Sequence, residues 1–249
     1  MIYLQKSSEI PPILLESQKQ INDLIKNYGS IVAIPEEKKK FLNNYKQKDV
    51  KNVLFNSSID KCAYCETRPI GGFLEVDHFK PKMKYPEFWF EWLNLLPSCK
   101  KCNLLKSAHD TVSMPIINPY EIDPEPHFKY EYLRIEVSIT SPDIEIAKRT
   151  IDVCDLNRIS LVKERSYILI ELEIFLRHLE EALNKFNASN TELKELRRLN
   201  KLREALEIIE GTTKKEEKYS GLSRYFLNNS NSYQKARSLI EERNNFKNI

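Results

Sequence analysis

Two cysteine pairs, Cys62-x-x-Cys65 and Cys99-x-x-Cys102, bracket the stretch of this 249-residue chain where reactive side chains gather. Thirty-three residues separate Cys65 from Cys99, and Asp77-His78, Asn94 and Asn103 stand between and just after the pairs. Two such knuckles can close a tetrahedral thiolate site around one zinc ion, and four thiolates leave that ion no open position for a substrate. The cysteines are therefore read as structural, and the chemistry is sought in what they hold. Hydrolysing a phosphodiester takes a base for the attacking water and a cation to neutralise charge on the phosphate and the departing oxygen. Histidine suits the base, since its ordinary pKa of about 6.5 leaves a neutral imidazole available near pH 7. Mg²⁺ prefers oxygen ligands and keeps several waters, so one carboxylate and one amide oxygen suffice. Asp77 supplies the carboxylate, Asn103 the amide and His78 the base. Asn94 is left two roles, a bond to loop backbone or to the second ring nitrogen of His78.

These residues need short, closely spaced elements. After Gly71-Gly72, the run Phe73–Phe79 alternates apolar and polar residues, which predicts a strand entered from a turn. Its period of two starts Asp77 and His78 on opposite faces, so the strand must end or bend there for both to meet one phosphate, as Pro81 close behind would favour. Pro81 and Pro86 predict a loop, residues 93–96 a second strand or turn, and Cys99–Asn103 the start of a helix. The result is a compact ββα unit. Trp89 and Trp92 are expected to fill its core rather than stack on a base.

The rest of the chain reads as predominantly helical α+β, in four parts: an N-terminal helical segment (1–57), the ββα module (58–112), a Pro-rich linker with short strands (113–142), and a helical region (143–249). Residues 11–28 predict one helix and 35–54 a second; 127–140 alternate like a strand or hairpin. Ser141-Pro142-Asp143 starts a helical half, with helices over 144–153, 159–186 and 191–210, then two short ones near 221–228 and 233–244. Leu169, Leu172, Phe175, Leu176, Leu179 and Leu183 form an apolar stripe that serves either as core or as a docking face.

Composition limits the setting. Apolar residues make up 41% and glycine only five positions, so the chain is neither fibrous nor disordered. The N-terminus lacks a charged segment followed by an apolar core, so no signal peptide is expected. No stretch approaches the roughly 18 apolar residues of a membrane span. Five cysteines, four of them paired as CxxC, fit a reducing interior with bound metal better than a disulfide framework, which predicts the cytoplasm. Net charge is only +3, so local placement has to decide for or against nucleic acid. Residues 61–109 hold eight Lys/Arg against five acids, and Lys80, Lys82 and Lys84 follow His78 directly, where phosphate oxygens would pass, with Lys106 nearby. The lysines of 38–51 are expected to be an ordinary solvated face. His109 is expected at a helix end, His127 and His178 outside the site, and Cys154 as a small buried apolar residue. Glu66 and Glu75 are candidates for extra metal or orienting groups and are not counted in the site.

Cys62-Ala-Tyr-Cys65, Glu75-Val-Asp77-His78-Phe-Lys-Pro81, Trp92-Leu-Asn94-Leu and Cys99-Lys-Lys-Cys102-Asn103-Leu-Leu-Lys106 together resemble the HNH endonuclease motif in its zinc-knuckle form. The motif positions fall on His78, Asn94 and Asn103. Asparagine rather than histidine at the third resembles the Mg²⁺-binding Asp-His…Asn versions and counts against a zinc-only catalytic site. The resemblance implies a ββα-metal fold, structural Zn²⁺, and hydrolysis with one Mg²⁺ or Mn²⁺ held by Asp77 and Asn103. His78 would be the general base and Asn94 the brace of the loop.

A longer resemblance rests on Lys61-Cys-Ala-Tyr-Cys-Glu66, Asp123-Pro-Glu-Pro-His127-Phe and Ile151-Asp-Val-Cys-Asp-Leu-Asn157-Arg. These are similar to the HNH proteins of Septu-type and retron-associated anti-phage systems, the PtuB family. That resemblance implies a PtuA-like ATPase partner, with a retron reverse transcriptase and its RNA/DNA in some systems, and activity restrained until a partner releases it. DNA is the implied substrate, with RNA, tRNA included, as the alternative. Two readings from other classes stand beside it. A zinc-ribbon binding module without catalysis would keep its binding in His78→Ala. An adaptor acting through residues 143–249 would have no affinity for nucleic acid at any salt.

Overall fold

Proline opens the first helix of the computed structural model, which describes residues 1–69 and 74–245. Helix α1 (Pro12–Tyr28) has proline in its first turn, where the missing N–H would have no partner, and ends on Gly29. Gly29 takes φ 78°, a left-handed conformation that costs glycine little, and donates its N–H to the Ile25 carbonyl at 2.8 Å. Leu14, Ser17 and Ile21 make its buried face.

The continuous helix expected over 35–54 does not form. Glu36–Lys38 and Lys40–Lys46 are 3-10 turns, and only Lys48–Asn56 (α2) is α-helical. Asn43-Asn44 is weak helix sequence, and tertiary partners hold this stretch in place. Asn44 donates to the Ser17 hydroxyl of α1 at 2.9 Å, Tyr45 is buried, and Gln47 is extended at ψ 152°.

Strands β1 (Glu75–His78) and β2 (Leu95–Ser98) pair antiparallel, with Val76 opposite Pro97 and His78 opposite Leu95. Helix α3 (Lys100–Lys106) follows at once, so the chain runs strand, loop, strand, helix as its spacing predicted. The strand is shorter than expected, and Phe73 and the Gly71-Gly72 turn lie outside the described residues. Pro97 cannot donate to a ladder, but its carbonyl accepts the N–H of Ala63 at 2.9 Å and so joins the first knuckle to the second strand. Leu14 and Ile21 of α1, Val50 and Leu54 of α2, Val76, Leu95, Trp89, Phe90 and Trp92 form one buried cluster. Both tryptophans thus fill the core, and their indole N–H groups donate to the Leu42 and Ser7 carbonyls.

Residues 1–129 and 135–157 make one compact unit. Strands β3 (Phe128–Glu131) and β4 (Arg134–Val137) pair with each other, and only their residues 128–129 and 135–137 belong to this unit. It continues into the helix α4 (Ile144–Val153), whose first turn is capped by Asp143 accepting from the Ile146 N–H at 2.9 Å. The second unit comprises residues 130–134 and the chain from Arg158 onwards. It carries α5 (Ile159–Asn187), α6 (Glu192–Gly211), α7 (Ser220–Asn228) and α8 (Asn231–Asn245). Leu172, Leu179 and Leu183 are buried with Leu202, Leu206 and Leu227, so these members of the apolar stripe serve as core. The whole is α-rich with two small sheets, an α+β chain. Among the described residues no helix is long and apolar enough to cross a membrane.

Leu95 is fully buried where both N-terminal helices meet β2. Leu95→Ala is expected to cost about 2–5 kcal/mol in urea unfolding, through lost transfer energy plus the cavity left behind.

Candidate metal cluster and catalytic site

The four cysteine sulfurs converge within 4.8 Å of one another, all buried. The Cys65 and Cys99 sulfurs are 3.8 Å apart. Zn–S bonds of about 2.3 Å would set sulfur–sulfur edges of about 3.8 Å in a tetrahedron, so the cluster fits a tetrahedral thiophilic metal without rearrangement. Local backbone aims them. Glu66 donates its N–H to the Cys62 carbonyl (3.0 Å) and takes φ 62°, a left-handed conformation that is costly for glutamate. The buried carboxylate of Glu66 is held by ion pairs to the Met1 amino group at 2.6 Å and Lys61 at 3.7 Å. In the second knuckle the Cys102 N–H points at the Cys99 sulfur, at 3.4 Å. Hydrogen bonds from the other thiols, Cys102 first, hold Cys99 well below the ordinary thiol range.

From this clasp, β1 carries Asp77 and His78 into the interior, both of them buried. Asp77 is bound on one side by the Tyr64 hydroxyl at 2.5 Å, from inside the first knuckle. On another it meets the Lys106 ammonium of α3, 3.1 Å from Oδ2. Burial, reinforced by the Asp77 charge, pushes the Tyr64 hydroxyl well above its usual range, so it stays a donor. Lys106 also donates to the His78 carbonyl at 2.7 Å and is 1% exposed. This corrects one expectation. Lys106 is an internal strut, with its ammonium spent on Asp77 and the β1 backbone, and not a surface contact for phosphate.

His78 is 7% exposed, edge-on to Tyr45 with ring centroids 4.6 Å apart. Its Nε2 lies 2.9 Å from the Trp89 carbonyl, a partner that can only accept, so the neutral ring carries its hydrogen on Nε2 and its lone pair on Nδ1. Burial pushes the imidazole down to about 3, with the Lys82 charge acting in the same direction. His78 is therefore neutral throughout the physiological range.

Of the two partners considered for Asn94, it takes the loop backbone. Its Oδ1 accepts from the Lys80 N–H (2.7 Å), and its Nδ2 donates to the carbonyls of Lys80 (3.2 Å) and Phe88 (2.9 Å). The Asn103 amide donates to Glu75 at 2.7 Å, which turns its oxygen away from that carboxylate. Asp77, His78, Asn103 and Lys82 line one cleft of about 270 Å³. One carboxylate and one amide oxygen in a shared cleft make a hard-oxygen donor set that suits Mg²⁺.

The other expected contacts are engaged locally. The Lys80 ammonium sits 3.7 Å over the Phe88 ring, Lys82 donates to the Tyr45 hydroxyl at 2.9 Å, and Lys84 pairs with Asp110. His109 bonds the Met114 carbonyl and His127 the Ser141 hydroxyl, His178 is exposed, and Cys154 is fully buried. Sequence reasoning missed Tyr64 and Tyr45, and of the two orienting roles open to Glu66 and Glu75 it chose neither, though Glu75 holds the Asn103 amide. The one local sign was an aromatic residue inside a knuckle beside an acid-bearing strand.

Fold and site define an α+β protein in which a four-cysteine cluster of metal-binding geometry clasps a ββα unit. The chain belongs to the Septu protein PtuB family. It is 32% identical over 190 residues to the Septu protein PtuB of Bacillus thuringiensis, covering 75% of this chain and 67% of that protein. It is 28% identical over 162 residues to the Septu protein PtuB of Bacillus mycoides (strain KBAB4), covering 52% and 54%. An 81-residue stretch is 38% identical to protein ea31 of Escherichia phage lambda, 31% of this chain and 26% of that one. No protein-family model matches the chain.

Metal removal should take the site apart. The purified chain is expected to hold one zinc at the cysteines, and Cys65→Ser or strong chelation to lower its melting temperature and open β1 to hydrogen exchange. A metal-free chain with an unchanged melting curve would contradict this. Acid should weaken the fold through His78. The unfolded imidazole binds a proton near 6.5 and the folded one only near 3, so the stabilisation is complete above 6.5 and is lost as pH falls towards 3. Against a non-titrating His78→Leu chain, the wild type is expected to lose about 3 kcal/mol between pH 7 and pH 4, read by urea unfolding.

Proposed function

We propose that this chain is a metal-dependent endonuclease of the HNH type, hydrolysing nucleic-acid phosphodiester bonds within a Septu-type anti-phage defence complex. The observation that carries the reading is the tether of His78 Nε2 to the Trp89 carbonyl, which leaves a neutral imidazole with its lone pair on Nδ1 beside Asp77 and Asn103. In the proposed reaction Nδ1 takes a proton from water as the water attacks phosphorus, and the P–O bond to the departing oxygen breaks. Asp77 and Asn103 would hold Mg²⁺ or Mn²⁺, which would supply charge neutralisation at the phosphate. Tyr64 and Lys106 act as positioning residues for Asp77, Glu75 for Asn103, and Asn94 braces the loop that carries the Trp89 carbonyl. Lys82, in the same cleft, meets a phosphate oxygen, with Lys80 and Lys84 flanking it. The cysteines hold structural zinc.

The relatives' name supports the wider setting. A Septu PtuB protein works here as the effector beside a PtuA-like ATPase, in some systems with a retron reverse transcriptase, and its cutting is low until that partner releases it. DNA is the favoured substrate and RNA the second. The test is cleavage of plasmid, single-stranded DNA and total RNA with Mg²⁺ or Mn²⁺, by wild type and His78→Ala, each with and without the ATPase. Cutting that needs the metal and falls at least 100-fold in the variant is the expected result. Equal cutting by both chains would remove His78 from the reaction. No cutting by zinc-loaded wild type in any mixture would favour a non-catalytic binding module.

A further inference from the structure

A second cleft, of about 750 Å³, adjoins the one that holds His78; the two share Tyr45, Val76 and Asn103. Four lysines line it. Lys46 and Lys51 come from the segment around α2, Lys100 and Lys101 from the start of α3. Glu75 is its only acidic lining residue among those described, and that carboxylate already accepts from Asn103. None of the four lysines forms an ion pair among the described residues. Lys46 lies over the Tyr45 ring at 5.5 Å, which leaves its charge without a carboxylate, whereas Lys84 and Lys106, which follow the motif in sequence, are paired with Asp110 and the buried Asp77. A chain with a net charge of only +3 has thus gathered unpaired positive charge from two distant segments into one concavity beside the candidate reaction centre.

We infer that this lysine-lined cleft is the track for the nucleic-acid backbone on one side of the scissile phosphate. The inference rests on the nuclease reading and adds to it a second binding site. Phosphates spaced along one strand match a row of ammonium groups that have no other counter-charge, and such contacts fix register without reading bases. Because the clefts meet at Asn103, a strand with its phosphate at His78 continues into the lysines without turning through protein. The simpler role for Lys100 and Lys101, offsetting the charge of the adjacent thiolates, does not account for Lys46 and Lys51 on a different segment.

The test measures binding in the inert His78→Ala background, as the full zinc-loaded chain, alone and with the ATPase. Fluorescein-labelled single-stranded DNA and RNA of the same sequence are titrated from 50 to 300 mM salt. Replacing Lys46, Lys51, Lys100 and Lys101 together by alanine is expected to weaken binding at least tenfold at low salt. It should also flatten the slope of log K against log salt by about 2–3, since each lost single-strand contact removes about 0.7. Arginine at the four positions should restore the slope, and Lys19→Ala/Lys26→Ala, outside the cleft, should leave it unchanged. The stronger of the DNA and RNA arms names the strand. An unchanged slope in the quadruple variant, with zinc content and melting temperature intact, would overturn the track while leaving the nuclease reading standing. If the parent binds neither strand in either mixture, the track falls, and the cleavage test alone decides the nuclease reading.

Discussion

Everything at the candidate centre depends on the convergence of four sulfurs. Closing the 33-residue segment between Cys65 and Cys99 by a cross-link removes chain entropy worth on the order of 4 kcal/mol, by the reasoning that applies to a covalent bridge. That closure brings Tyr64 of the first knuckle and Asn103 and Lys106 of the second to the same two-stranded sheet. The sheet has only four residues per strand and could not hold itself alone. Two other supports share the task. The Ala63 N–H pairs with the Pro97 carbonyl, and the aromatic core under α1 and α2 packs against Val76 and Leu95.

Electrostatics within this frame separates two neighbours in sequence. Lys106 and Tyr64 supply the buried Asp77 side chain with the partners that water would otherwise provide. Removing one member of such a pair leaves an uncompensated buried charge, a cost of about 3–5 kcal/mol. His78, the next residue, is kept uncharged by burial and by the nearby Lys82 charge, which outweigh the Trp89 carbonyl's pull towards the protonated ring. A buried carboxylate and a neutral imidazole thus sit side by side at pH 7, an arrangement that acid–base and metal-assisted chemistry both use. Lys106 couples the two, since its ammonium reaches both the Asp77 carboxylate and the His78 carbonyl.

Much of this was legible because it is local. CxxC spacing, the alternation ahead of Asp77-His78 and the proline-marked loop each span only a few residues, and the ββα order follows from them. The interrupted segment 35–54 was not legible, since Asn44 and Tyr45 answer to Ser17 and His78 rather than to their helical neighbours. The lysines show the same limit. Proximity to the motif in sequence suggested Lys106 as a surface contact, yet the direction of α3 turns it inward. Lys46 and Lys51, which read as an ordinary solvated face, meet Lys100 and Lys101 only once the sheet is closed. Tyr64 escaped notice, and Glu75 could not be told apart from Glu66 as an orienting group, because their roles consist of single hydrogen bonds to residues 13 and 28 positions away.

With its four sulfurs converged, the cysteine cluster is proposed to hold His78 as a neutral imidazole with its lone pair on Nδ1. The chain contains four histidines, so ring-nitrogen NMR on histidine-labelled protein, with His78→Ala for assignment, reads this state directly. With the metal in place, the His78 ring is expected to show a protonated Nε2 and a bare Nδ1 from pH 7.5 down to pH 5. After chelation it should titrate near 6.5 like an exposed imidazole. A His78 ring that titrates near 6.5 with the metal bound, or carries its proton on Nδ1, would contradict the account.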